Sequence, residues 1–319
     1  MSNYNIKDDF YDILSSKYEE AINNGHILFN GDSAVDEIEH IKVGNSTVDI
    51  QTTLLKSLMH RPEQGSEKSN PFAKPEPELT IVEKFGAKDE FRLVFNKFPV
   101  VPKHFMLITR EFKSQNSPLT GTELLSTYNI LLQLRKLKPT EDWFAFYNCG
   151  PESGASQPHK HIQFMTLPPS QNFKAYSDIL SSTSHAFIPN VREEPLQNSD
   201  LPFAHFVARL PGQSEDITED DLSLYFVSLL QRSLTVSREH KQDHISYNFI
   251  FTPQYMLMVP RSSGKYKDKL GINSCGVQGL LLCKNEELLE LVKTDGALSI
   301  LEKVGFPNTS GKASNEYDY

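Results

Sequence analysis

Apolar side chains recur at helical spacing between residues 8 and 24, at Phe10, Ile13, Leu14, Tyr18, Ala21 and Ile22, and stop at Gly25. That pattern predicts an N-terminal amphipathic helix. Residues 61–77 are rich in Pro, Ser, Glu and Lys and read as an exposed loop. The pattern then shortens. Residues 91–96 and 104–110 are predicted to be paired strands around a turn at 99–102. Thr120-Gly-Thr-Glu123 is a capping-box sequence ahead of Leu124, Tyr128, Leu131 and Leu132, so a helix is expected there. Residues 143–148 form an aromatic strand that leads directly into a loop and a polar, histidine-bearing strand.

A second apolar cycle follows the polar stretch 190–200. A helix is expected over 218–233, with Leu222, Tyr225, Phe226, Leu229 and Leu230 on its buried side. Strands are expected at 244–251 and 255–260, and helices near Asn285 and at 297–304. The strand pairs at 91–110 and 247–261 resemble each other, each running strand, turn, strand, arginine (Arg110, Arg261). The similarity suggests a duplication, although two ordinary hairpins can also look alike. The expected fold is α+β, with antiparallel sheets flanked by helices. Its two parts would be an N-terminal half, 1–190, and a C-terminal half, 191–319.

At 319 residues, 38% hydrophobic and 23% charged, the composition is that of an ordinary globular protein with ample core. A formal charge of −9 without a lysine or arginine run argues against a nucleic-acid or membrane-surface binder. Cys149, Cys275 and Cys283 are too scattered for a disulfide framework or a structural zinc site. The polar, acidic start of the chain does not resemble a signal peptide, and no apolar run approaches the roughly 20 residues that span a bilayer. The expected location is the cytoplasm, with the nucleus also open.

The most informative segment is Tyr147-Asn-Cys-Gly-Pro-Glu-Ser-Gly-Ala-Ser-Gln-Pro-His-Lys-His-Ile-Gln-Phe164. In a strand, His159, His161 and Gln163 would share one face, with Lys160, Ile162 and Phe164 on the other. Gly150, Ser153, Gly154 and Ser156 make a small-residue loop whose backbone N–H groups could approach a phosphate. Two histidines at i and i+2 could instead bind a metal, but no carboxylate follows them to complete a set. They could also be edge-strand histidines without a role, at the cost of burying polar groups unpaired. The third reading is phosphorus chemistry. A neutral imidazole attacks an α-phosphorus and splits one displacement into two. His161 is best placed as nucleophile, with His159 holding its tautomer by hydrogen bonding. Gln163 can donate to a phosphate oxygen but cannot transfer a proton, which favours transfer over hydrolysis.

This segment resembles the histidine-triad superfamily, in the transferase branch that carries His-x-His-x-Gln. Leu93-Val-Phe-Asn96-Lys-Phe-Pro-Val-Val-Pro-Lys-His104 is similar to that superfamily's nucleotide-binding hairpin. A narrower resemblance, over nearly the whole chain, is to the fungal-type diadenosine tetraphosphate phosphorylases, or ATP adenylyltransferases. It is carried by Asn70-Pro-Phe-Ala, Phe146-Tyr-Asn-Cys-Gly-Pro, Ser153-Gly-Ala-Ser-Gln, Phe203-Ala-His-Phe-Val, Asn273-Ser-Cys-Gly and Gly305-Phe-Pro-Asn-Thr. The resemblance implies a duplicated histidine-triad-like fold, as in the galactose-1-phosphate uridylyltransferase branch.

It also implies an activity: cleavage of diadenosine tetraphosphate by inorganic phosphate to ATP and ADP, reversibly, through adenylyl-His161. Gln163 would contact the α-phosphate, and Gly154, Ala155, Ser156 and Gln157 would form the phosphate loop. Asn148 would contact substrate just before that loop, and Asn96 would reach the ribose. Lys56 would touch the polyphosphate, while Asn273, Ser274, Cys275 and Lys284 would form a C-terminal substrate region. Cys275 and Leu280 depart from the family pattern, which has threonine and methionine there; both alter a pocket wall. Arg92, Lys97 and Arg110 read as solvated strand-edge charges. A divalent cation (Mg, or else Mn or Ca) would travel with the polyphosphate, with no protein cage for it and no organic cofactor. The chain would act as a monomer. The alternatives are a histidine-triad hydrolase of dinucleoside polyphosphates and a uridylyltransferase acting on a sugar phosphate.

Overall fold

The computed structural model describes residues 4–29, 31, 34–56, 59, 70–189, 194–212 and 216–312. The chain begins with α1 (Phe10–Asn23), β1 (Val35–Val43), β2 (Ser46–Leu54), β3 (Thr80–Phe85), β4 (Phe91–Phe95) and β5 (Phe105–Thr109). Then come α2 (Gly121–Leu137), β6 (Trp143–Cys149), β7 (His161–Thr166), α3 (Tyr176–Ser182) and β8 (Phe206–Arg209). The remainder is α4 (Glu219–Glu239), β9 (Tyr247–Phe251), β10 (Tyr255–Pro260), β11 (Lys265–Tyr266), β12 (Leu270–Gly271), α5 (Ser274–Val277), β13 (Leu280–Cys283), α6 (Glu286–Asp295) and α7 (Ala297–Val304).

The short apolar runs assemble into one eight-stranded sheet, in the order β3-β4-β5-β7-β6-β9-β10-β8. Every adjacent pair in it is antiparallel. Alternation along the strands sorts side chains to two faces. Leu93, Phe105, Leu107, Ala145, Tyr147, Ile162, Phe164, Phe249 and Met256 share one core with α1, α2 and α4. Phe144, Phe146, Met165, Ile250 and Leu257 share the opposite core with β2, α5, β13, α6 and α7. A small third cluster, Phe72, Val94, Met106 and Ile108, lies apart from both. The expected capping box of α2 is present, with Thr120 accepting from Glu123 N–H. An equivalent box at Thr218 and Asp221 starts α4.

The structure corrects which segments repeat. Strand β5, helix α2 and hairpin β6–β7 are followed later by strand β8, helix α4 and hairpin β9–β10. Read outward from the β6–β9 pair, the sheet runs β7, β5 on one side and β10, β8 on the other. The partner of β9–β10 is therefore β6–β7, and not the β4–β5 hairpin whose sequence it mimics. Both hairpins end in arginine, but their neighbours in the sheet differ. A second sheet, β1-β2-β13, pairs β2 of the first half in parallel with β13 of the second.

The expected loop over 61–77 divides. Residues 61–69 lie outside the described residues, while Phe72 is buried and packs in the third cluster rather than in solvent.

Phe105 is fully buried and stacks on Phe164 at 4.7 Å, with Trp143 at 5.7 Å and Phe10 at 5.9 Å. Phe105→Ala is expected to lower the unfolding free energy by about 3–5 kcal/mol, read from denaturant midpoints. His205 is also fully buried, its Nδ1–H donating to the Phe203 carbonyl and its Nε2 accepting from Asn198 N–H, both at 2.8 Å. Burial pushes its pKa down to about 4. Between the ordinary value near 6.5 and that value, the unfolded chain binds a proton the folded chain does not, so stability falls as pH falls. Burial raises Asp178 to about 6, which acts with the opposite sign in the same range. The stability difference between wild type and His205→Gln isolates the histidine. That difference is expected to shrink by about 2 kcal/mol between pH 7 and pH 5; a pH-independent difference would contradict it.

Candidate active site

The polar side chains of β7 emerge on the sheet face opposite α2 and α4. Val94, Met106, Gln163 and Phe146 form one row across β4, β5, β7 and β6. Ile108 lies opposite His161 two pairs further on, on the same face. The strand proper begins at His161, whereas His159 sits before it in an isolated bridge to Ser114. Within the strand the expected polar face is carried by His161 and Gln163, and His159 lies just before it with its ring against the same Phe72. Lys160 points to the other side as expected and is buried, its Nζ 2.7 Å from Glu123 of α2.

His161 is buried, and its Nδ1–H donates to the His159 carbonyl at 2.8 Å. In the neutral ring that bond puts the proton on Nδ1 and the lone pair on Nε2. The tautomer is thus set by the main chain of His159 and not by its imidazole, as the sequence reading had it. The His159 ring has its own partners. Its Nε2–H donates to the Thr109 carbonyl at 2.7 Å, and its Nδ1 accepts from Asn70 Nδ2 at 2.9 Å. Burial lowers its pKa, which keeps the ring neutral. Phe72 lies between the two rings, 6.0 Å from His159 and 5.1 Å from His161.

Gln163 Oε1 accepts from His104 Nε2 at 3.0 Å, which leaves the Gln163 amide hydrogens as what it can offer a ligand. Asn96 Oδ1 accepts from Phe98 N–H at 2.9 Å, and its Nδ2 stands 3.5 Å from His104 Nε2. Asn148 Oδ1 accepts from Asn248 Nδ2 at 2.8 Å, Ser274 N–H at 2.9 Å and Ser274 Oγ at 2.7 Å. Asn248 also donates to the Ser153 carbonyl at 2.8 Å, at the start of the small-residue loop. Behind it, fully buried Arg261 donates to Asn248 Oδ1 and to the Ile272 carbonyl. Burial pushes that guanidinium down to about 9.

Gly154 adopts a left-handed conformation with φ +77°, and a Cβ there would lie 2.5 Å from the Ile272 carbonyl oxygen. Only glycine lets the loop press against the segment that starts α5. Ser156 lines two cavities that meet at Gln163. The larger, about 530 Å³, is lined by Phe72, Leu79, Val94, Asn96, Gln157 and His161 among others. The smaller, about 20 Å³, is lined by His104, Asn148, Gly154, Asn273 and Cys275 among others. Ala155 is half-buried in the same loop. Among the described residues, no three His, Cys, Asp or Glu side chains gather as a metal site.

Asn273 also caps α5, accepting from Cys275 N–H at 3.0 Å. The two expected lysines stand further off. Lys56 is exposed and paired with Glu286 at 3.0 Å. Lys284 is its neighbour, because Leu55 N–H bonds the Cys283 carbonyl at 2.9 Å, but neither lysine lines either cavity. Lys97, read as a solvated charge, lines the larger cavity and pairs with Glu76 at 2.6 Å. Arg92 pairs with Glu83 on the sheet's flank, and Arg110 bonds the Asp89 carbonyl, both apart from the cavities. Sequence reasoning did not assign Asn70, Phe72, His104, Thr109, Gln115, Asn248 or Arg261 to the site. Phe72 carried a signal, as an apolar residue in a polar stretch; Gln115 carried none.

Comparison with known proteins shows what the whole chain is similar to. The Ap4A phosphorylase N-terminal domain matches residues 35–177, and the ATP adenylyltransferase C-terminal domain matches 199–307. Protein APA1 of Saccharomyces cerevisiae is 36% identical over 325 residues, covering 98% of this chain and 99% of that protein. Diadenosine 5',5'''-P1,P4-tetraphosphate phosphorylase 2 of the same yeast is 38% identical over 330 residues, covering 98% and 100%. The crystal structure of yeast Ap4A phosphorylase Apa2 in complex with Ap4A superposes with a TM-score of 0.82 at 36% identity, over 96% of this chain and 100% of that one. With such identity along nearly the full length of both chains, the protein belongs to the family of Ap4A phosphorylases and ATP adenylyltransferases.

Proposed function

We propose that the protein catalyses phosphorolysis of diadenosine tetraphosphate to ATP and ADP, reversibly, through an adenylyl-His161 intermediate. The observation that carries this reading is the bond from His161 Nδ1–H to the His159 carbonyl, on a residue lining the larger cavity. With the proton held on Nδ1, the Nε2 lone pair attacks the α-phosphorus, the N–P bond forms, and ATP leaves with the electrons of the P–O bond. The developing positive charge on the ring is stabilised by the carbonyl at Nδ1. Inorganic phosphate then attacks adenylyl-His161, breaks the N–P bond and leaves as ADP.

Gln163, oriented by His104, donates to the α-phosphate, and the backbone of 154–157 supports the phosphates beside it. Apolar Phe72, Leu79 and Val94 suit a nucleobase in the larger cavity, with Asn96 near its ribose. Asn148, Asn273, Ser274 and Cys275 border the path of the remaining phosphates. Lys56 and Lys284, at the same end of the β2–β13 pair, would meet the distal part of a long substrate. A divalent cation carried on the polyphosphate would neutralise charge on the leaving group. Residues of both halves of one chain line the smaller cavity, which supports a monomer as the working unit.

Product analysis with diadenosine tetraphosphate and magnesium tests the reading. ATP and ADP are expected only when inorganic phosphate is present, and AMP plus ATP without it would make the protein a hydrolase instead. His161→Ala is expected to lose at least about 10⁴-fold in kcat. Gly154→Ala forces a Cβ against a carbonyl in a left-handed conformation, so KM should rise at least about tenfold while the fold persists. An unchanged KM would detach this loop from substrate binding.

A further inference from the structure

Strands β6 and β7 pair from Trp143↔Thr166 to Phe146↔Gln163 and no further. Continued in register, the next outward-facing pair would be Asn148 and His161, the two residues of these strands nearest the chemistry. A side chain stands there instead of a direct backbone rung. Gln115 Oε1 accepts from His161 N–H at 2.8 Å, and Gln115 Nε2 donates to the Asn148 carbonyl at 2.8 Å. The same Nε2 lies 3.4 Å from the His161 carbonyl.

Gln115 is itself held without slack. It is buried, its N–H donates to the Pro158 carbonyl at 2.8 Å, and its carbonyl accepts from Tyr147 OH at 2.8 Å. Lys160 N–H bonds the Lys113 carbonyl at 2.8 Å, and Ser114 bridges His159, so residues 113–115 run alongside 158–160. A carboxamide carries its acceptor and its donor on two separate atoms at one tip, so it can bond both strands at once. It stands in for a rung between His161 N–H and the Asn148 carbonyl, just past the last β6–β7 pair.

We propose that Gln115 is a positioning residue of the transfer reaction, fixing the separation between His161 and Asn148 and so the line of attack on the α-phosphorus. The inference rests on the reading of His161 as nucleophile. Gln115 touches no substrate; it acts through the backbone of the two residues that do. Its loss should therefore lower kcat more than it changes KM, because a displacement on the order of 1 Å at the reacting atoms costs about 10²-fold.

Gln115→Leu keeps the volume and removes both bonds; Gln115→Glu keeps the acceptor and exchanges the donor for a group that donates only when protonated. Steady-state phosphorolysis from pH 5.5 to 8.5 is compared with wild type. Gln115→Leu should show kcat reduced about 100-fold at every pH, with KM within about threefold. Gln115→Glu should regain activity relative to wild type as pH falls, since its protonated carboxyl again donates to the Asn148 carbonyl. The neighbouring Tyr147 phenol, raised by burial, stays neutral throughout, and the ratio to wild type cancels the shared histidines. A Gln115→Leu enzyme within about threefold of wild type in kcat, or a Gln115→Glu ratio flat with pH, would overturn the proposal. Should Gln115→Leu fail to fold, the Gln115→Glu profile decides alone. Activity surviving in His161→Ala would instead overturn the nucleophile reading, and this inference with it.

Discussion

The two halves of the chain meet at a pair of asparagines. Asn148 and Asn248 lie opposite each other where β6 pairs with β9, both fully buried in the middle of the sheet. A buried carboxamide has to be satisfied on both ends, or the desolvation of its oxygen and its hydrogens goes uncompensated. Asn248 meets that demand by donating to Asn148 and to the Ser153 carbonyl and by accepting from Arg261. Asn148, its oxygen filled by three donors, is left with amide hydrogens at the edge of the smaller cavity. One hydrogen-bond requirement at the seam thereby fixes the phosphate loop, the start of α5 and the direction in which Asn148 can act.

Arg261 shows the same economy at higher stakes. Its guanidinium bonds Asn248 and the carbonyls of Ser263, Ile272 and Val304, with no carboxylate among those partners. The Ile272 carbonyl is also what a side chain at position 154 would strike. The charge is thus placed where it clamps the backbone on which the glycine loop leans. The second half, which has no histidine pair of its own, supplies the rigid bed for the chemistry of the first.

Much of this was legible in the sequence. The aromatic run 143–148 and the alternation around 159–164 were readable as strands because both are local patterns. The capping box at Thr120 was readable because it needs four consecutive residues. The histidine–glutamine spacing carried the candidate chemistry for the same reason. What sequence could not show were partners distant along the chain. Asn70 bonds His159 across 89 residues, and Gln115 bonds His161 across 46. Composition misled at 70–77, where the prolines and Lys74 around Phe72 looked solvated although the phenyl ring packs on the site histidines. The repeat was visible but misaligned, because hairpins of similar letters are common and sheet neighbours are not written in the chain.

Lys160 stands between the two site histidines and faces away from them, paired with Glu123 with both side chains buried. Glu123 is also the residue that closes the capping box of α2. Removing either partner would strand a charge in the core, at a cost of about 3–5 kcal/mol. The position next to the chemistry is therefore closed to drift for reasons that have nothing to do with substrate. Exploring new activity by mutation here must work around Lys160, along the outward-facing residues of β7 and its neighbours, because a change at Lys160 alone leaves Glu123 buried without its cation.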